Sequence, residues 1–136
     1  NFSGYANTAL GRVALNLNTT GVQNTAVGNE ALQKNTADNN TAVGFQALEE
    51  NTSGAQNTAI GVQSLDENTT ASENTAVGYA ALGVNTTGTH NTAVGSRSLD
   101  ANTTGTGNTA FGSEALTSNA SSASKLRATG LLNEKL

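Results

Sequence analysis

Asn74-Thr75-Ala76-Val77-Gly78 is one of seven copies of an Asn-Thr-Ala-apolar-Gly unit, which opens at Asn7, Asn24, Asn40, Asn57, Asn74, Asn91 and Asn108. The steps between openings are 17, 16, 17, 17, 17 and 17 residues. A short fixed period means that one small structural unit is stacked many times. Numbering the unit from its first Asn, positions 1, 2, 3 and 5 are Asn, Thr, Ala and Gly in every copy. Position 4 is Leu10, Val27, Val43, Ile60, Val77, Val94 or Phe111, and position 8 is always Ala or Ser. Position 9 is always Leu, from Leu15 to Leu116, and position 12 is always Asn, from Asn18 to Asn119. Positions 13 and 14 are mostly Thr, and position 15 is usually Gly. Positions 6, 7, 10 and 11 vary and carry most of the charge.

A strand over positions 1–5 would place Thr and the apolar residue of positions 2 and 4 on one face, because side chains alternate. We expect that face to point inward. The Ala column at position 3 then faces outward as a close-packed contact with another chain, and the Ala/Ser column at position 8 offers a second such contact. Leu at position 9 has the wrong parity for one straight strand. Gly at position 5 supplies the bend that turns it inward again. Asn-Thr-Thr-Gly at positions 12–15 reads as a second turn. A helix fits poorly, since each unit holds two Asn-Thr pairs and usually two Gly. The pattern predicts an all-β fold, a parallel β-solenoid or β-roll with one 17-residue turn per repeat. Successive turns would stack ~4.8 Å apart, with Asn over Asn exchanging side-chain amide bonds. The short repeat lacks one residue in Thr36-Ala37-Asp38-Asn39, and the turn Gly is the expected loss.

The array spans residues 1–124. Residues 125–136 do not repeat and read as a cap or junction closing an exposed edge. Asn1-Phe2-Ser3-Gly4-Tyr5-Ala6 matches the end of a repeat, so a piece of a longer protein is expected. Hydrophobic residues are 35%, charged residues 12% and net charge −4. Order is expected, because the polar residues hold fixed positions. The six basic residues form no stripe for nucleic acid, and no apolar run is long enough to span a membrane. Absence of Cys excludes disulfides and thiolate metal sites. Only two large apolar residues per repeat are fixed, which leaves a thin core and predicts a homo-oligomer with its axis along the rod.

From Asn-Thr-Ala-Val-Gly through Asn-Thr-Thr-Gly, the unit resembles repeats of phage tail-fibre and tail-fibre-like surface proteins. More distantly it is similar to the head repeat of trimeric autotransporter adhesins of the YadA type. That likeness implies a homotrimeric β-roll in a shaft or head of an extracellular, cell-surface or virion fibre. The adhesin period is about 14 rather than 17, so an intertwined triple-stranded β-helix stands as the alternative architecture.

The chemistry-bearing residues are few. His90, the one His, falls at variable position 17 and reads as an exposed turn residue. Glu49-Glu50 and Asp66-Glu67 occupy positions 10 and 11. Paired carboxylates can do acid–base work, but these copies align with Asp100-Ala101 and Thr117-Ser118, as a solvated face would. No catalytic, cofactor or metal residue is assigned, and no enzyme activity is expected. Asn-x-Ser/Thr acceptors recur at Asn1, Asn18, Asn39, Asn51, Asn68, Asn85, Asn102 and Asn119. They read as by-products of the turn, with laddered Asn unavailable for glycans. Thr columns at positions 2, 13 and 14 raise an ice- or crystal-surface reading. It requires an outward Thr array, and the inward assignment of position 2 weighs against it. The expected function is a stiff structural and adhesive rod, with a glycan- or ice-binding module as the alternative.

Overall fold

The computed structural model describes residues 4–124 and the backbone of residues 126–127. Each repeat contributes one three-residue strand: β1 (Thr8–Leu10), β2 (Thr25–Val27), β3 (Thr41–Val43), β4 (Thr58–Ile60), β5 (Thr75–Val77), β6 (Thr92–Val94) and β7 (Thr109–Phe111). A two-residue β8 (Leu126–Arg127) follows. The strands form one parallel sheet in chain order, with Thr over Thr and Ala over Ala from β1 to β7. The described residues contain no helix. The fold is a β-solenoid, and each turn rests on the next turn of the same chain. An intertwined triple helix would instead take neighbouring layers from different chains.

The strands are short because Asn precedes and Gly ends each one. At position 5 φ lies between 124° and 141°, a region closed to side chains with a Cβ. The expected bend is therefore present. Two further residues of the same turn are also left-handed. In the fifth repeat Ala80 has φ 49° and Leu82 φ 51°. Turn bonds join Ala81 N–H to Gly78 O (3.4 Å), Gly83 N–H to Ala80 O (3.2 Å) and Asn85 N–H to Leu82 O (3.1 Å). Position 17 adds a third such residue, His90 at 59°. A left-handed non-Gly residue costs roughly 1–2 kcal/mol. Each is held by a bond to an adjacent layer: Ala80 N–H to Val62 O (2.9 Å), Leu82 N–H to Ser98 O (3.0 Å) and His90 N–H to Ser72 O (3.3 Å). Stacking thus fixes a backbone that one isolated repeat would not hold.

The strand faces are the reverse of the sequence expectation. Ala26, Ala42, Ala59, Ala76, Ala93 and Ala110 are fully buried within the chain. Thr and the apolar residue on either side of each Ala point outward, and Leu10, Ile60 and Phe111 are among the exposed large hydrophobics. The Ala column is core, not a surface left for a second chain. So is most of position 8, where Ala31, Ala47, Ser64, Ala81, Ser98 and Ala115 are buried. The physical reason lies at position 1. Asn40, Asn57, Asn74, Asn91 and Asn108 are buried, and alternation then places position 3 inward with position 1. A slim interior admits Ala opposite Leu, and the branched residue of position 4 is left outside. Leu at position 9 does point inward as expected: Leu32, Leu48, Leu65, Leu82 and Leu99 are all fully buried.

Two Asn ladders run up the interior. At position 12, the side-chain Nδ2 donates to Oδ1 one layer away: Asn51 to Asn35 (2.6 Å), Asn68 to Asn51 (2.8 Å), Asn85 to Asn68 (3.2 Å) and Asn102 to Asn85 (2.8 Å). At position 1, Oδ1 accepts the backbone N–H of the next Asn, as Asn74 does from Asn91 (2.9 Å). Both ladders converge on the carbonyl of position 15. Asn74 Nδ2 and Asn85 Nδ2 each reach Gly88 O at 2.9 Å. Buried amides tolerate this position only because their donors and acceptors are used.

The short repeat also differs from expectation. Ala37 O receives both Asn24 Nδ2 and Asn35 Nδ2, each at 2.8 Å. Ala37 therefore holds position 15, and the residue lost is one of the two Thr before it. Thr36 keeps the position 13 bonds: its carbonyl accepts from Thr20 Oγ1 (3.1 Å), and its Oγ1 donates to Thr52 O (2.8 Å). The carbonyl where the Asn ladders meet is kept, and an exposed Thr is dispensable. The expected cap over residues 125–136 lies almost wholly outside the described residues; its β8 backbone pairs with β7.

Candidate functional surface

The variable positions gather one charged patch. Glu30, Lys34, Glu49, Glu50, Asp66 and Glu67 come from three consecutive layers. Lys34 Nζ pairs with Glu50 Oε1 at 2.5 Å, and Gln46 Nε2 donates to Glu30 Oε2 at 3.1 Å. Burial, reinforced by Glu49, Glu50 and Glu67, pushes the Asp66 carboxyl up to about 6. Its Oδ1 is buried without a hydrogen-bond partner among the described residues. Glu49 is raised for the same reasons, burial first and then Glu30 and Glu50. No group of three or more His, Cys, Asp and Glu among the described residues is placed to hold a metal ion.

A carboxyl raised on folding binds its proton more tightly in the native state. Its contribution is fully present at low pH and is lost as pH rises from about 4 to about 6. Asp66→Asn is therefore expected to be more stable than the parent at pH 7 by about 1 kcal/mol, a figure discounted for solvent screening. The gap should close below pH 4. Urea melts at the two pH values measure it, and equal gaps at both would contradict the assignment.

His90 is exposed. Its Nε2 is 3.0 Å from Glu73 Oε2, and its Nδ1 is 3.0 Å from Thr89 Oγ1. The acceptor Asn51, Asn68, Asn85 and Asn102 are fully buried in the ladder, and Asn119 is nearly so. Asn18 is half-buried and bonded to Gly21 O (3.0 Å). Asn39 is exposed, with φ 61°; Asn1 is outside the described residues.

The most regular surface is the outer face of β1–β7. Thr8, Thr25, Thr41, Thr58, Thr75, Thr92 and Thr109 form one column, and the position 4 residues form the next. Position 13 hydroxyls are engaged by the fold: Thr52, Thr69, Thr86 and Thr103 each donate to the carbonyl of the next layer. Among the described residues, the position 2 hydroxyls make no hydrogen bond within the chain. Beyond the Gly bend, Phe45, Val62 and Tyr79 at position 6 add exposed apolar side chains in three adjacent layers. Sequence reading missed this face because it assigned the strand parity from the apolar residue. The cue available was Asn at position 1. Comparison with protein-family models, curated proteins and solved structures finds no match.

Proposed function

We propose that this chain is a structural and adhesive segment of an extracellular, cell-surface or virion fibre: a stiff spacer that displays a repeated surface. The observation that supports this reading is the strict register of the layers. Each 17-residue unit adds one strand, one Leu, two laddered Asn and one set of interlayer bonds. Such a stack lengthens by repetition without changing its cross-section. Its buried Leu and Ala columns form one core cluster within a single chain. The homotrimer implied by the resemblance would have to use the outer face, since the Ala columns are internal.

Small-angle scattering tests the spacer reading. Inserting seven further copies of residues 74–90 is expected to lengthen the particle by roughly 34 Å at constant cross-sectional radius. Growth in the cross-section, or scattering of a flexible chain, would refute it.

A further inference from the structure

We infer that the outer face of β1–β7 is a binding surface for crystalline water. This inference rests on the adhesive reading above and names the substrate that the rod adheres to. The face repeats one rung seven times: a Thr hydroxyl at position 2 and an apolar side chain at position 4. The hydroxyl is the invariant member, and its apolar partner changes among Leu, Val, Ile and Phe. A face selected only for apolar contact would not fix Thr seven times. Every hydroxyl in the column lacks a partner within the chain among the described residues, while the Thr column at position 13 is consumed by the fold. No charged residue occurs at position 2 or 4, so nothing on the strip holds its own hydration shell by charge.

These properties favour an ordered water lattice over a protein. Seven rungs ~4.8 Å apart and ~7 Å wide make a strip on the order of 250 Å². Stable protein complexes bury about 800 Å² on each partner. A second copy seated here would also dry seven hydroxyls that have no partner among the described residues, which is unfavourable unless each finds one across the interface. A lattice of water supplies a donor and an acceptor to every hydroxyl. Its repeat along the rod can be met by a ladder whose rungs are in strict register. The apolar column beside the hydroxyls holds back disordered water, so that ordered water is retained along the strip.

Thermal hysteresis and ice-crystal habit test the inference directly on the intact chain. The parent protein is expected to show hysteresis and faceted crystals. Combined Thr41→Val, Thr58→Val and Thr75→Val removes three hydroxyls at nearly constant shape and should abolish the hysteresis. Thr75→Lys should do the same by lifting the strip from the lattice, whereas Thr87→Lys, on the exposed turn at position 14, should leave it unchanged. Melting curves and far-UV spectra confirm that each variant folds. A parent without hysteresis overturns the inference, as does an unchanged Thr75→Lys or an equally inactive Thr87→Lys. Sedimentation completes the test. A parent oligomer that Thr75→Lys converts to monomer would show that a second copy covers the face, and would overturn the inference while the rod stands. Failure of the scattering test would instead remove the rod itself.

Discussion

Gly78→Ala is expected to lower stability by about 3–5 kcal/mol, the sum of a forbidden backbone conformation and a backbone clash. At φ 135° an L-residue is strained whatever space surrounds it. Its Cβ would also lie 2.5 Å from Gly95 O and 2.6 Å from Gly95 C. Both atoms belong to the backbone of the next layer and cannot rotate away. That layer is fixed in turn by Gly95 N–H donating to Val77 O at 2.8 Å, so relief of the clash would open the strand pairing. Gly83→Ala is the control. Gly83 is buried, but the nearest atom to its added Cβ is Ala80 O at 3.2 Å. Other copies carry Glu49, Asp66, Asp100 or Thr117 at the same position. Its cost should stay within about 1 kcal/mol, in the range of ordinary permissive substitutions. Chemical denaturation of the two variants side by side measures the difference, and equal stabilities would refute the account of the bend.

Asn68→Ala is expected to cost about 3–4 kcal/mol, from unsatisfied buried groups and the cavity left behind. Asn68 Nδ2 donates to Asn51 Oδ1 at 2.8 Å and to Ala71 O at 3.0 Å, and its Oδ1 accepts from Asn85 Nδ2 at 3.2 Å. Truncation removes all three bonds at the middle of the ladder. Ala71 O keeps Asn57 Nδ2 (2.9 Å) and Asn85 keeps Gly88 O (2.9 Å). Asn51 Oδ1 loses its partner across the ladder. Asn68→Leu restores volume without restoring the bonds, and it should remain strongly destabilised. If the Leu variant recovered the parent stability, the ladder would be filling space rather than satisfying polar groups.

Much of this architecture was legible in the residues. Leu every 17 positions marked the inner column, Gly at position 5 marked the bend, and Asn at position 12 marked an amide ladder. All three expectations hold in the structure. The strand faces were read the wrong way round, because Val77 is larger and more apolar than Ala76. In a wide core that inequality would decide the parity. In a solenoid this slim, the polar ladder decides it, since Asn74 must reach Gly88 O. Asn and Ala then share the inner face. The left-handed residues at positions 7, 9 and 17 were not legible. Gln63, Leu65 and Glu73 adopt that conformation without any of the residue preference that advertises it. Their geometry comes from hydrogen bonds between layers, which only the stacked structure displays. The outer Thr column was visible in the sequence, but its orientation followed the parity and was misread with it.

In β5, Ala76 faces the interior, and Thr75 and Val77 face the exterior. The chain has no Cys, so single cysteines report side-chain direction against a silent background. The decisive measurement is the thiol-labelling rate of Thr75→Cys, Ala76→Cys and Val77→Cys under native conditions. Rapid labelling is expected at positions 75 and 77, with labelling at 76 only as fast as global unfolding permits. Rapid labelling at 76 with protection at 75 and 77 would contradict it.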